Sequence, residues 1–113
     1  MSKPAGNIPS DFRSDRPVLH LGGRGIDALI AEAGDTPLFI YDLSIVAQRI
    51  AEFRSSFQGV QFHYAMKANA YSPLLKFISK YLDGLDVASG GELKLALDAG
   101  VDPAAISFAG PGK

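Results

Sequence analysis

The chain has 113 residues and a formal net charge of −1. That is enough for one ordinary domain and too close to neutral for bulk attraction to nucleic acid or an anionic membrane. Hydrophobic residues make up 47% and charged residues 20%, which argues against disorder and for a packed core. Without Cys the chain has no disulfide, no thiol nucleophile and no thiolate metal site. The polar start lacks the apolar run of a signal peptide, and no stretch approaches the ~20 apolar residues of a membrane span. A cytoplasmic protein is the expectation.

Residues 1–17 carry three Pro and three Ser with little periodicity and are expected to form a loose arm. "VLHL" at 18–21 is apolar and short enough for a strand, and "LGGRG" at 21–25 reads as a turn rather than a phosphate loop. Ile26, Leu29, Ile30 and Ala33 fall at helical spacing, and Gly34 suits the end of that helix. "PLFIYD" at 37–42 reads as a buried strand. A helix follows it, capped by Asp42 or Ser44, with Val46, Ile50, Phe53 and Phe57 as its apolar stripe. "VQFHYAM" at 60–66 is the next predicted strand. Ser72 and Pro73 open a further helix as N-cap and first helical residue. "GLDVAS" at 84–89 is strand, "GGELKLALDAG" is a helix ending at Gly100, and "AISFAG" at 105–110 is a fourth strand.

Tyr41, Tyr64, Asp86 and Phe108 mark a β/α repeat of about 22 residues, which implies an α/β fold with a parallel sheet. So short a unit favours a (β/α)₈ barrel, which usually needs roughly 250 residues. Four units therefore read as the first part of a longer protein, or as a piece completed by another polypeptide.

In such folds ligands meet the C-terminal ends of strands. Asp42, Lys67 with Asn69, then Asp86, Ser89, Gly90, Gly91 and Glu92 stand at those ends, with Gly110 and Lys113 after the fourth. His20 and His63 lie too far apart for a metal motif. Strand alternation puts Lys67 on the face of Ala65 and His63. A lysine emerging among apolar neighbours tends to lose its proton and can then attack an aldehyde; equally, it can snorkel into water. Asp86, inside a strand, needs a partner, and Lys67 one strand away is the candidate. Ser89 and Glu92 fit the capping box S-x-x-E, which would explain both residues without chemistry. Gly90 and Gly91 would let a backbone approach a ligand at a helix N-terminus.

"VQFHYAMKANAYSPLLKF", "LDVASGGELKLALDAGV" and "ISFAGPGK" follow "TPLFIYDLSIVAQRIAEFRSSF" in that order. Together they resemble the N-terminal barrel half of the fold-type III pyridoxal-phosphate decarboxylases, the group of diaminopimelate, ornithine and arginine decarboxylases. The resemblance covers residues 22–113. It implies an alanine racemase-like barrel of which about four β/α units are present, with the rest of the barrel and a C-terminal β domain absent, and residues 1–21 as an arm. It also implies pyridoxal 5′-phosphate as cofactor, bound through Lys67 as a Schiff base. Asp86 would then stand beside the lysine and the cofactor, and Glu92 near the same site, so that Lys67, Asp86 and Glu92 form the catalytic set. His63 has no counterpart role in the resemblance and is expected to pack in the core. The implied reaction is loss of the α-carboxylate of a diamino or basic amino acid, with an active site shared across a homodimer. The 113-residue piece alone is expected to show little or no activity. "KANAY" also resembles racemases of the same fold, so a racemase, or a non-catalytic cofactor-binding module, stands as the alternative.

Overall fold

The computed structural model describes residues 9–12 and 17–111. Most of the expected N-terminal arm, and Lys113, lie outside the described residues. The chain divides into two compact units, Met1–Ile45 and Val46–Lys113.

In the first unit, β1 (His20–Leu21) pairs antiparallel with β2 (Arg24–Gly25). The turn between them has Gly22 at φ 57° and Gly23 at φ 74°. Two successive left-handed residues form the tight turn that matches strand twist, and glycine takes that conformation without steric cost. "VLHL" is thus one arm of a hairpin that crosses the 21/22 boundary suggested by the sequence. Helix α1 (Ile26–Ala33) follows at once, and the Gly34 amide donates to the Ile30 carbonyl to close it. The strand expected over 37–42 does not form: 38–42 has no ladder partner among the described residues, and Phe39 is 89% exposed. A strand exists only through a neighbour's hydrogen bonds, and an apolar run cannot supply one for itself. Helix α2 (Leu43–Ser56) begins where Asp42 Oδ1 accepts from the Ser44 amide at 2.9 Å and the Ser44 hydroxyl at 2.5 Å, the expected cap.

The second unit is built on a three-stranded parallel sheet in the order β3 (His63–Ala65), β4 (Gly84–Val87), β5 (Ile106–Phe108). Helix α3 (Ser72–Ile78) connects β3 to β4, and α4 (Gly90–Asp98) connects β4 to β5. Three of the four expected strands are therefore present. Ser72 is the first residue of α3 rather than its cap; Tyr71 holds the cap position, and its amide is taken by Asn69 Oδ1 at 2.9 Å. Asn69 reaches the amide two residues on as a short amide side chain readily does, so the helix starts one residue early.

The register aligns Tyr64, Leu85 and Ile106 in one row and Ala65, Asp86 and Ser107 in the next. Successive side chains alternate between faces, and burial sorts them. Leu85 and Val87 are sealed with Met66, Leu74, Leu75, Ile78, Ala96 and Val101 into the core, on the side where α3 and α4 pack. The other face carries His63, Ala65, Gly84, Asp86 and Ser107. Phe53 and Phe57, at the end of the α2 stripe, remain half exposed and meet Phe62 edge-on or tilted, with centroids 6.0 to 6.4 Å apart. Arg54 lies 5.6 Å from the centre of the Phe62 ring and binds the Tyr81 carbonyl and Asp83.

Candidate functional site

The ladder of β3 stops at Ala65, and Met66–Ala68 forms a single 3₁₀ turn. Met66 is 1% exposed and anchors that turn in the core; Lys67, next in line, is exposed. Met66, buried with Leu85 and Val87, lies on the face that strand alternation gives it, and Lys67 stands in the 3₁₀ turn just past the last paired residue of β3. Beyond the turn the Tyr64 hydroxyl donates to the Asn69 carbonyl at 3.0 Å, fixing both ends of the segment that presents Lys67. Among the described residues the Lys67 ammonium has no hydrogen-bond or ion-pair partner.

Asp86 sits opposite Ala65 in the register, two residues short of Lys67, yet its partner is not the lysine. Its Oδ1 lies 3.2 Å from His63 Nδ1. The same nitrogen lies 3.2 Å from Ser107 Oγ. One imidazole thus links all three strands. Gly84 makes room for it, since a Cβ at 84 would stand 2.7 Å from His63 Cε1 and 2.3 Å from the Ala105 carbonyl oxygen. With its proton on Nδ1 the ring donates to the carboxylate and to the hydroxyl oxygen. With Nδ1 bare it accepts from Ser107 alone and opposes the Asp86 charge, so the carboxylate selects the protonated nitrogen. The His63 and Asp86 side chains are 31% and 46% exposed. His63 is therefore not a core residue, as the sequence reading had it.

Glu92 is held at the start of α4. Its amide donates to Ser89 Oγ at 3.1 Å, and its Oε2 accepts from the Ala88 amide at 2.7 Å. The capping box forms with one shift: the carboxylate reaches the residue before the cap rather than Ser89 itself. Gly90 and Gly91 have negative φ, and a Cβ at Gly90 would meet open space, so α4 does not itself require glycine there. Gly110 packs against the Ala88 backbone, where a Cβ would come within 2.3 Å of the carbonyl oxygen. The structure thus joins Asp86 to His63 and Ser107, and Glu92 to Ala88 and Ser89, with Lys67 hydrogen-bonded to neither group. Among the described residues no cluster of three His, Cys, Asp or Glu could hold a metal ion. No helix is long and apolar enough to cross a membrane among those residues.

Sequence reasoning missed His63 and Ser107, though a signal for both exists. His63 lies 23 residues before Asp86 and 44 before Ser107, one and two steps of the β/α repeat. Equivalent positions of successive parallel strands fall on one face.

Residues 43–113 match the family model described as pyridoxal-dependent decarboxylase, pyridoxal binding domain. Diaminopimelate decarboxylase of Aquifex aeolicus is 38% identical over 84 residues, which is 74% of this chain and 20% of that protein. The enzyme of the same name from Bacillus subtilis is 36% identical over 99 residues, 83% of this chain and 23% of that protein. Among solved structures, one from Aquifex aeolicus superposes with a TM-score of 0.81 at 34% identity, over 92% of this chain and 26% of that one. Diaminopimelate decarboxylase from Helicobacter pylori, complexed with L-lysine, superposes with a TM-score of 0.67 at 31% identity, over 77% of this chain and 23% of that one. The chain spans about a fifth of the length of the curated relatives it matches.

Proposed function

Since this chain belongs to the pyridoxal-dependent decarboxylase family and matches its pyridoxal-binding domain, we propose that it holds pyridoxal phosphate through Lys67 and serves an amino-acid decarboxylase. The observation that carries this reading is Lys67 itself. It is an exposed primary amine without a salt-bridge partner among the described residues, on a buried-anchored turn at the C-terminal end of a parallel strand. An aldehyde cofactor needs an uncommitted amine, and a lysine already paired with a carboxylate would have to break that pair first. Asp86, one strand away with its second oxygen not engaged by His63, is the group that faces the cofactor. Glu92, its carboxylate held by the Ala88 amide, stands near the same site and would hold the lysine ammonium once a substrate amine displaces it. When bound, the cofactor supplies an electron sink for the charge left as CO₂ departs. Lys67 would then be placed to act as an acid or base, or to release the product by displacing its amine.

The parallel β3–β4–β5 sheet with its helical crossovers is, in this reading, part of a (β/α)₈ barrel of the alanine racemase-like type. Residues 22–113 belong to the barrel portion and 1–21 to an arm whose last strand, β1, pairs with β2 across that boundary. The substrate is a diamino or basic amino acid, with diaminopimelate first in line because relatives at 36 to 38% identity carry that name. A homodimeric, cytoplasmic enzyme is proposed, in which the 113 residues alone turn over little substrate.

Incubation with pyridoxal phosphate, borohydride reduction and peptide mapping by mass spectrometry test the reading. One pyridoxyl group at Lys67, lost in Lys67→Ala, is the expected result. Label spread over Lys76, Lys80 and Lys94, or no label, overturns it. Robust decarboxylation by the purified chain would overturn the claim that it is inactive alone.

A further inference from the structure

We propose that His63 is a positioning residue for the cofactor site: its imidazole, lying across Gly84, holds one oxygen of Asp86 so that the other is presented to the ligand. The inference rests on the Lys67 reading and adds to it a residue that neither family membership nor the sequence motifs assign.

The geometry supports this in three ways. His63 Nδ1 engages Oδ1 of Asp86 at 3.2 Å, which leaves Oδ2 without a bond from His63. Ser107 Oγ, at 3.2 Å from the same nitrogen, is a second contact at that edge of the ring, so the imidazole is tied to both strands other than its own. Gly84 is paired with His63 in the register, and its missing Cβ is the space the ring occupies. A carboxylate 46% exposed would otherwise rotate about its last torsion, which is broad and two-fold. Fixing that rotation through a hydrogen bond to a charged group removes a disorder cost from ligand binding.

The test uses the intact chain and pyridoxal phosphate itself, reading cofactor affinity, the visible absorption band of the bound cofactor, and the fraction of label at Lys67. His63→Phe fills the same space without a donor. It is expected to weaken cofactor binding by about tenfold and to shift the absorption band, with far-ultraviolet circular dichroism unchanged. His63→Gln, which retains an amide donor within reach of Asp86, should recover at least half of the loss. In an Asp86→Asn background His63→Phe should add nothing further, since the two residues act as a unit.

If the wild type itself takes no label at Lys67, the functional reading falls and this inference with it. If the wild type is labelled but His63→Phe binds with wild-type affinity and an unshifted band, only the role of His63 is overturned. Equal loss in His63→Phe and His63→Gln, or a full additional loss in the Asp86→Asn background, also overturns it, because the ring would then act by packing rather than through the carboxylate.

Discussion

The two faces of the parallel sheet are made from alternating residues of the same short strands, and they obey different rules. On the helix side Leu85 and Val87 are 1% exposed and meet Leu75 and Met66 in a sealed core. On the other side, one residue away along the same backbone, Asp86 keeps nearly half of its side chain exposed and holds a polar bridge to His63. The first face is defended by area removed from water, about 1.5 to 3 kcal/mol for each fully buried aliphatic side chain. The second contributes little to stability, since partly exposed charge pairs are worth roughly 0 to 1 kcal/mol. Burial and polar bridging are therefore separable at single-residue resolution, with β4 as the dividing wall.

The sharpest way to break that contrast is Leu85→Ala, expected to destabilise the chain by about 2 to 5 kcal/mol in urea denaturation. Asp86→Asn, its immediate neighbour, should stay within about 1 kcal/mol of wild type while reducing label at Lys67. If the two substitutions cost the same, the sheet is not divided as described. Ser89→Ala, which removes the cap of α4 and frees the Glu92 amide, should cost about 1 kcal/mol by the same measurement.

The smallest expected effect is acid dependence through Asp83. The Phe62 amide donates to its carboxylate at 2.7 Å, and this bond, opposed by desolvation and aided by Arg54, holds the carboxyl below its ordinary range. The folded value is the depressed one. Its contribution is thus fully present above the ordinary aspartate value near pH 4 and is lost as pH falls through the lowered folded value. Asp83→Asn should flatten the acid limb of stability against pH and leave the neutral region nearly unmoved.

Much of this arrangement is legible in the sequence, for physical reasons that differ by residue. Tyr64, Asp86 and Phe108 mark three real parallel strands because a buried strand flanked by helical periodicity is a local signal. The fourth mark, Tyr41, belongs to a segment without sheet pairing, since pairing is a non-local property that an apolar run does not encode. Lys67 is read as standing at a strand end, and Met66 is buried on the face that alternation gives it, but the 3₁₀ turn that carries the lysine past the ladder has no local signal in the sequence. Glu92 and Ser89 announce their capping role plainly. His63 was hidden because a single imidazole in an apolar strand resembles packing, and only the repeat spacing reveals what it faces.

The outer strands of the sheet, β3 and β5, are each paired on one side only among the described residues. Their outward amides and carbonyls are ready-made templates for another extended backbone. Chains bearing such rims compete between completing the ladder internally and recruiting a neighbour, and the second route grows with concentration while the first does not. Soluble yield of this polypeptide should therefore fall more steeply than in proportion to its concentration, and dilution during refolding should protect it.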